Sequence, residues 1–343
     1  MKQIVECVPN FSEGRDQQTI DALAESIRTV PGVKLLGIEP DKDYNRSVVT
    51  FVGEPQPVVE AACRSTRVAA ERIDMRKHQG EHPRLGAVDV VPFVPISGVT
   101  MEECVRLAHE YAERVSREFH IPVYLYEAAA SHPDRKNLAT IRKGEYEGLA
   151  EKLKDPRWKP DYGDPTFNAR SGATVTGARK FLIAYNVNLN TADSAIAQEI
   201  ALRIRESGRV KKDESGAVVK DAQGESVKIP GTLKAVKAMG VFLQRFNIAQ
   251  VSINLTDFEV TPPHTAFEEV KKQAKLLGAE VTGSEIVGLT PLAALRMAGS
   301  YYAGKAKTKP QSDDELVSLA IKCLGLSQLE PFEPQRKIIE YML

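Results

Sequence analysis

At 343 residues, with 42% apolar and 27% charged side chains, the chain has a soluble globular balance and the length for two domains, each with its own core. Lys plus Arg equals Asp plus Glu at 46 each, which excludes a global field able to hold a nucleic-acid backbone or an anionic bilayer. The opening MKQIVECVPNFSEG lacks the apolar core of a signal peptide, and no apolar run nears the ~20 residues of a membrane span, so a cytoplasmic protein is expected. Cys7, Cys63, Cys104 and Cys323 are scattered without a CxxC pair and read as reduced thiols, mostly buried.

In chain order, Gln3–Val8 reads as a strand. Gln17–Thr29 sets Ile20, Leu23, Ala24 and Ile27 on one helical face, and Pro31-Gly32 stops it. Val33–Ile38 and Ser47–Val52 are strand-like, with turn chemistry at Asp41–Asn45 between them. Val58–Ile73 is helical again and Ala87–Val94 is β-rich, which completes βαββαβ, the split arrangement of ferredoxin-like domains. Thr100 and Glu103 form a capping box for a further helix, and Ile121–Tyr126 is the strand after it. Glu127–Gly177 is a connector rich in Pro, Gly, Asp and charge, expected to hold little regular structure and to be functional.

The second half repeats the order. Phe181–Leu189 is a strand, Ala192–Glu206 a helix, and Val236–Leu243 and Ala249–Phe258 are strands. Thr261 is expected to cap a helix that has Pro262 in its first turn and runs to Leu277, before a last strand at Ala279–Val287. Lys211–Gly231 reads as a polar excursion with a small hairpin around Val218–Val219 and Val227–Ile229. The expected fold is mixed α/β (α+β). It has two subdomains, 1–180 and 181–343, each on a ferredoxin-like βαββαβ sheet with helices on the outer face, the second ending in a helical tail.

The densest polar cluster is Arg76–Arg84, with His78 and His82 four residues apart. A metal site would need both rings on one helix face, but Gly80 lies between them and Pro83 biases His82 toward extended backbone. No third ligand is suitably spaced, so no metal is expected. A loop presenting one imidazole for proton transfer and a merely solvated basic loop remain equally open on these residues.

Gly172–Lys180 nearly matches a phosphate-binding loop, but Ala178-Arg179 stand where Lys and Ser or Thr are required; a glycine-punctuated turn into the Phe181 strand is expected instead. Trp158, Tyr162 and Phe167 fall near Asp161, Asp164 and Arg170. A ring face and a carboxylate suit a pterin, and Arg170, Arg179 and Lys180 could hold glutamate carboxylates, although a loop tacked down by its aromatics is the simpler reading.

These stretches carry a resemblance that spans nearly the whole chain. VECVPNFSEG (Val5–Gly14), TFVG (Thr50–Gly53), HQGEHPRLGAVDVVPFVP (His78–Pro95) and PVYLYEAA (Pro122–Ala129) are similar to the formiminotransferase domain. So are IRKGEYEGL (Ile141–Leu149), GATVTGARKFLIAYNVNL (Gly172–Leu189), AQVSINLTDFEVTP (Ala249–Pro262) and IIEYML (Ile338–Leu343). In the animal bifunctional enzyme this domain is fused to a cyclodeaminase, and the present chain resembles a stand-alone transferase.

The resemblance implies two α/β subdomains with a substrate groove between their sheets, a homodimer, and transfer of the formimino group of N-formimino-L-glutamate to N5 of tetrahydrofolate, in histidine degradation and one-carbon metabolism. It places the catalytic histidine on His82 and the folate-contacting segment on Gly163, Asp164, Pro165, Thr166, Phe167, Asn168, Ala169, Arg170, Ser171 and Gly172. Within that segment the sequence departs from the animal pattern more than its flanks do. Asn10, Ser12, Glu13, Arg84, Arg179 and Lys180 are secondary candidates, polar residues of the matched motifs and the basic strip. Tetrahydrofolate is a co-substrate, and neither metal nor redox cofactor is implied. Two rivals are formyl transfer from N-formylglutamate or 5-formyltetrahydrofolate, and a non-catalytic folate-binding protein.

Overall fold

A computed structural model describes residues 3–213, 215–221 and 223–342. Chain contacts divide it into two compact units, Met1–Lys180 and Phe181–Leu343.

The first unit runs β1 (Ile4–Cys7), β2 (Asn10–Phe11), α1 (Gln17–Arg28), β3 (Val33–Asp41), β4 (Arg46–Gly53), α2 (Pro55–Arg72), β5 (Val88–Ser97), α3 (Met101–Phe119), β6 (Val123–Glu127), α4 (Leu138–Arg142), α5 (Glu145–Lys152) and β7 (Thr174–Ala178). All seven strands form one sheet. Its spatial order is β3, β4, then β1 and β2 sharing one lane, then β5, β7 and β6. Pairing is antiparallel except along β5–β7 and β6–β7.

Alternation assigns the two faces. Cys7, Phe51 and Phe93 join Leu23, Ile27 and Tyr111 in one core. On the other face Tyr124, Tyr126 and Val175 join Ile141 and Leu149 from the short helices. Full burial of such side chains contributes ~1.5–3 kcal/mol each, so both faces add materially to stability. The Thr100–Glu103 capping box forms as read, with both hydrogen bonds present at the start of α3.

Two expectations for this unit are corrected. The connector is more regular than its composition suggested, since it carries α4, α5 and two short 3-10 turns. Thr174–Ala178 is a fully buried parallel strand, not a turn. Its threonines tolerate burial because Thr174 Oγ1 donates to Val88 O at 2.8 Å and Thr176 Oγ1 to Val91 O at 2.7 Å, leaving no hydroxyl unsatisfied.

The second unit runs β8 (Ile183–Leu189), α6 (Ser194–Ile204), β9 (Arg209–Val210), β10 (Lys228–Ile229), β11 (Val236–Leu243), β12 (Ile248–Leu255), α7 (Pro263–Leu276), β13 (Val281–Val287), α8 (Leu292–Ala306), α9 (Asp313–Leu324) and α10 (Pro334–Lys337). Its main sheet is antiparallel, in the order β11-β12-β8-β13. The polar excursion is a ladder of short pairings, β9 with β10 and then the bridges Lys212–Val218 and Lys220–Ser226. Thr261 does not cap α7: Pro262 holds the N-cap position, and the Thr261 hydroxyl donates to Lys234 O at 2.7 Å. That contact turns the hydroxyl toward Lys234, and the N-cap falls one residue later, on a proline with no side chain to accept from the helix start. Among the described residues, no helix is long and apolar enough to cross a membrane.

Candidate functional site

In the first unit, β4, β5, β6 and β7 all point the same way, since β2 is antiparallel to both β4 and β5 and the other neighbours are parallel. Their starting ends share one edge of the sheet. That edge gathers Arg46, the β2 segment with Asn10 and Ser12, the loop before β5 with His78 and His82, and the segment 163–172 before β7.

The histidine loop is clasped by its surroundings. Ser12 Oγ donates to Gly86 O at 2.7 Å, and the Asn45 amide, at the tip of the β3–β4 hairpin, donates to Gln79 O at 3.0 Å. Gly80 is required there, because a Cβ would lie 2.2 Å from Tyr44 O. Arg84, almost buried, fixes the other side: its guanidinium bonds Glu147 at 2.6 and 2.8 Å and Glu145 at 2.9 Å, at the start of α5.

The two imidazoles are held in opposite tautomers. His78 Nε2 meets the carbonyl of Asn45 at 2.9 Å and must donate, while its Nδ1 accepts from Arg84 Nε at 3.3 Å. Both nitrogens are spent. His82 Nδ1 lies 2.8 Å from Pro83 O, which can only accept, so Nδ1 carries the proton and Nε2 keeps its lone pair. The Tyr44 ring sits edge-on to His82 at 5.7 Å between centroids. Burial, then the charges of Arg46 and Arg142, lower the His82 pKa below its ordinary value, so the ring is a neutral base near pH 7.

Two cavities border this loop. One of about 520 Å³ is lined by His78, Gln79, Gly80, Arg84, Glu145 and Glu147. A second, about 570 Å³, is lined by Pro83, Thr140, Arg142, Lys143 and Glu145.

Two descriptions within one family match in tandem: "Formiminotransferase domain, N-terminal subdomain" over residues 4–179 and "Formiminotransferase domain" over 184–343. The chain belongs to the formiminotransferase family. It is 48% identical over 343 residues to the formimidoyltransferase-cyclodeaminase of Rattus norvegicus, covering 100% of this chain and 60% of that protein. The chain thus spans about 60% of the length of the bifunctional relatives it matches. The glutamate formimidoyltransferase of Streptococcus pyogenes serotype M1 is 46% identical over 302 residues, 88% of this chain and 94% of the relative. That of Thermoplasma acidophilum is 46% identical over 301 residues, 87% and 92% respectively.

In this formiminotransferase chain the expected site residues divide. Asn10, Ser12, His82 and Arg84 meet at the strand-starting edge. Glu13 turns instead to α1, where its carboxylate accepts from Arg15 N and Asp16 N at 2.8 and 2.9 Å. Segment 163–172 runs from the lane of β6 to that of β5, with Tyr162 bridged to Val123 and Gly172 to Gly86. Its first half lines a cavity of about 600 Å³ with Ser116, Arg117 and His120; Gly163, Asp164, Thr166, Phe167 and Asn168 contribute. Pro165 and Ala169 are exposed, and Ala169 O accepts from Tyr146 Oη at 2.6 Å. Ser171 is buried, and its carbonyl accepts from Ala87 N at 2.9 Å, just beyond the histidine loop.

The expected basic strip is not one patch. Arg170 precedes β7 and binds the carbonyls of Ala70 and Glu71 at the end of α2, whereas Arg179 and Lys180 follow β7, a strand of roughly 16 Å away. Near Arg179 lies Glu6, a buried carboxyl that sequence reasoning missed; burial pushes it up to about 7 against the pull of that arginine. Arg46, Asp89 and Arg142 were also missed as site residues: they lie in separate stretches of the chain, and only the fold brings their charges near His82. Asp161 is committed to Arg135 at 2.9 Å and to Leu125 N at 2.8 Å, which makes it a support for β6. In the second unit Gln250 Nε2 donates to Asn188 Oδ1 and Glu285 Oε1, each at 2.7 Å, and Asn186 reaches the same Glu285 oxygen at 3.1 Å. This amide row shares one sheet face and also gave no sequence signal.

Proposed function

We propose that the chain is a glutamate formimidoyltransferase, carrying the formimino group of N-formimino-L-glutamate to N5 of tetrahydrofolate, with His82 as the proton carrier. The observation that carries this reading is the free Nε2 of His82, held as a lone-pair base by the Nδ1 contact to Pro83 O. N5 attacks the formimino carbon and forms the new C–N bond. The N5 proton passes to His82 Nε2. Collapse of the tetrahedral centre breaks the bond to the glutamate nitrogen, which takes that proton from the imidazolium, so His82 ends as it began. Such relay catalysis typically contributes ~10²–10⁴-fold, and holding both substrates together can supply effective molarities of about 10⁵ M or more.

Segment 163–172 is the proposed folate contact, with the face of Phe167 and the carboxylate of Asp164 offered to the cavity beside it. Each unit is read as ferredoxin-like, which the antiparallel orders β3-β4-β1-β5 and β11-β12-β8-β13 support. No metal step is invoked, because His78 has both ring nitrogens committed and cannot join His82 as a ligand.

The test is a direct assay of purified protein with tetrahydrofolate and, in parallel, N-formimino-L-glutamate and N-formyl-L-glutamate. Formation of 5-formimidoyltetrahydrofolate from the first donor is expected, and it should survive dialysis against a chelator. Preference for the formyl donor would move the reading to formyl transfer, and folate binding without turnover would make it a binding protein.

A further inference from the structure

Arg46 opens β4 at the edge that carries the histidine loop. Its Nη2 donates to the side-chain oxygen of Asn10, a buried residue of β2 whose own amide is spent on Val8 O at 2.9 Å. Arg46 Nε is buried and has no hydrogen-bond partner. A buried donor left unmade costs ~1–3 kcal/mol, and more when charged, so such an atom beside a base asks for a ligand.

The acid with the strongest pull on Arg46 cannot fill that need. Asp89, itself buried, is bound by Arg142 through both of its oxygens and accepts from Leu85 N at 3.0 Å. Asp89 thus has no oxygen to spare for Arg46 Nε; Asp41 and Glu39 of the neighbouring β3 act on Arg46 through charge only, and neither bonds that nitrogen. The hairpin that carries Arg46 also touches the catalytic loop directly, through Tyr44 on His82 and the Asn45 carbonyl on His78.

We infer that Arg46, steadied by Asn10, anchors the α-carboxylate of the amino-acid donor beside His82. The inference rests on the formimino-transfer reading. The α-carboxylate is the anionic group nearest the reacting carbon, three bonds away, while the side-chain carboxylate lies farther out. A guanidinium on the hairpin that packs against the histidine loop is therefore better placed for the former. Charge supports the same pairing. The formimino group is an amidine, cationic near neutral pH, and would be repelled by a bare arginine. With its α-carboxylate bound to Arg46, the inner half of the donor enters as a neutral pair, and the planar fork of arginine suits that carboxylate.

The test compares N-formimino-L-glutamate with N-formimino-4-aminobutyrate, the same donor without its α-carboxylate, in wild type, Arg46→Ala and Arg46→Lys. Wild type should prefer the full donor by ~10²-fold in kcat/KM, the loss expected when a charged hydrogen-bond pair is broken. Arg46→Ala should erase that preference to within about threefold and raise the KM for N-formimino-L-glutamate at least about tenfold, with the KM for tetrahydrofolate unchanged. Arg46→Lys should keep part of the preference, since charge remains but the fork is lost. The donor ratio is taken within each variant, so a reduced folded fraction cancels. An active wild type together with an Arg46→Ala that keeps the full preference overturns this inference alone. A wild type that transfers from neither donor overturns the formimino-transfer reading and this inference with it.

Discussion

The loop His78–Gly86 and the segment Gly163–Gly172 lie at the same edge of one sheet and even touch, yet they use their polar groups differently. In the loop, His78 and Arg84 are engaged in holding position, as is Ser12 beside it, and that leaves His82 Nε2 and the nearby Arg46 Nε with nothing to bind. In the segment, Asn168 spends its oxygen on Ser171 N and its amide on His120 O, and Arg170 ties down α2. Asp164, Thr166 and the ring of Phe167 are left to face a cavity. Unspent hydrogen-bonding capacity inside a rigid frame marks where chemistry is done; a polar segment that satisfies itself marks a wall.

The sharpest way to break the comparison is to remove each imidazole in turn. His82→Ala should lower turnover by ~10²-fold or more with little change in folate affinity. His78→Ala removes a brace, and the expected loss is about tenfold, by the misplacement of a positioned group. Steady-state kinetics beside thermal unfolding curves separate the two, and a more damaging His78→Ala would mean that the roles are exchanged.

A smaller effect is expected in the segment. Asp164→Asn should raise the KM for tetrahydrofolate about tenfold, the worth of one charged hydrogen bond, and leave the donor KM and melting temperature alone. Unchanged constants would remove folate from this wall. Arg170→Ala should do the reverse, costing about 1 kcal/mol of stability as α2 loses its clamp while kinetic constants hold. Thr100→Ala, far from both regions, should cost about 1 kcal/mol through the lost helix cap and nothing in turnover, which sets the baseline for purely structural changes.

Much of the frame was readable because it rests on local periodicity. The stripe Ile20, Leu23, Ala24 and Ile27 does bury one face of α1, and Val236–Leu243 does form β11. Thr174–Ala178 escaped because a glycine and two threonines look like a turn until their hydroxyls find Val88 and Val91 across the sheet. For the candidate site, the residues alone marked His78–Arg84 as a polar loop without choosing between proton transfer and mere solvation; the resemblance singled out His82. Arg46, Asp89 and Arg142 were not singled out, because they come from β4, β5 and α4 and only the packed fold assembles them. Thr261 misled for the same reason: its cap chemistry was diverted by a long-range contact to Lys234.

The central claim is that His82 is a neutral base with its lone pair on Nε2 while His78 is not. Nitrogen NMR of the ligand-free protein across pH 4–9 tests it most directly. The account predicts His82 protonated on Nδ1 and titrating below the usual histidine value of about 6.5, because burial and the Arg46 and Arg142 charges disfavour the imidazolium. His78 should appear as the opposite tautomer, protonated on Nε2. By the same sign, kcat/KM should fall only as pH drops through that lowered value, and Arg46→Ala should move the fall upward. A His82 protonated on Nε2, or titrating above 6.5, would contradict the account.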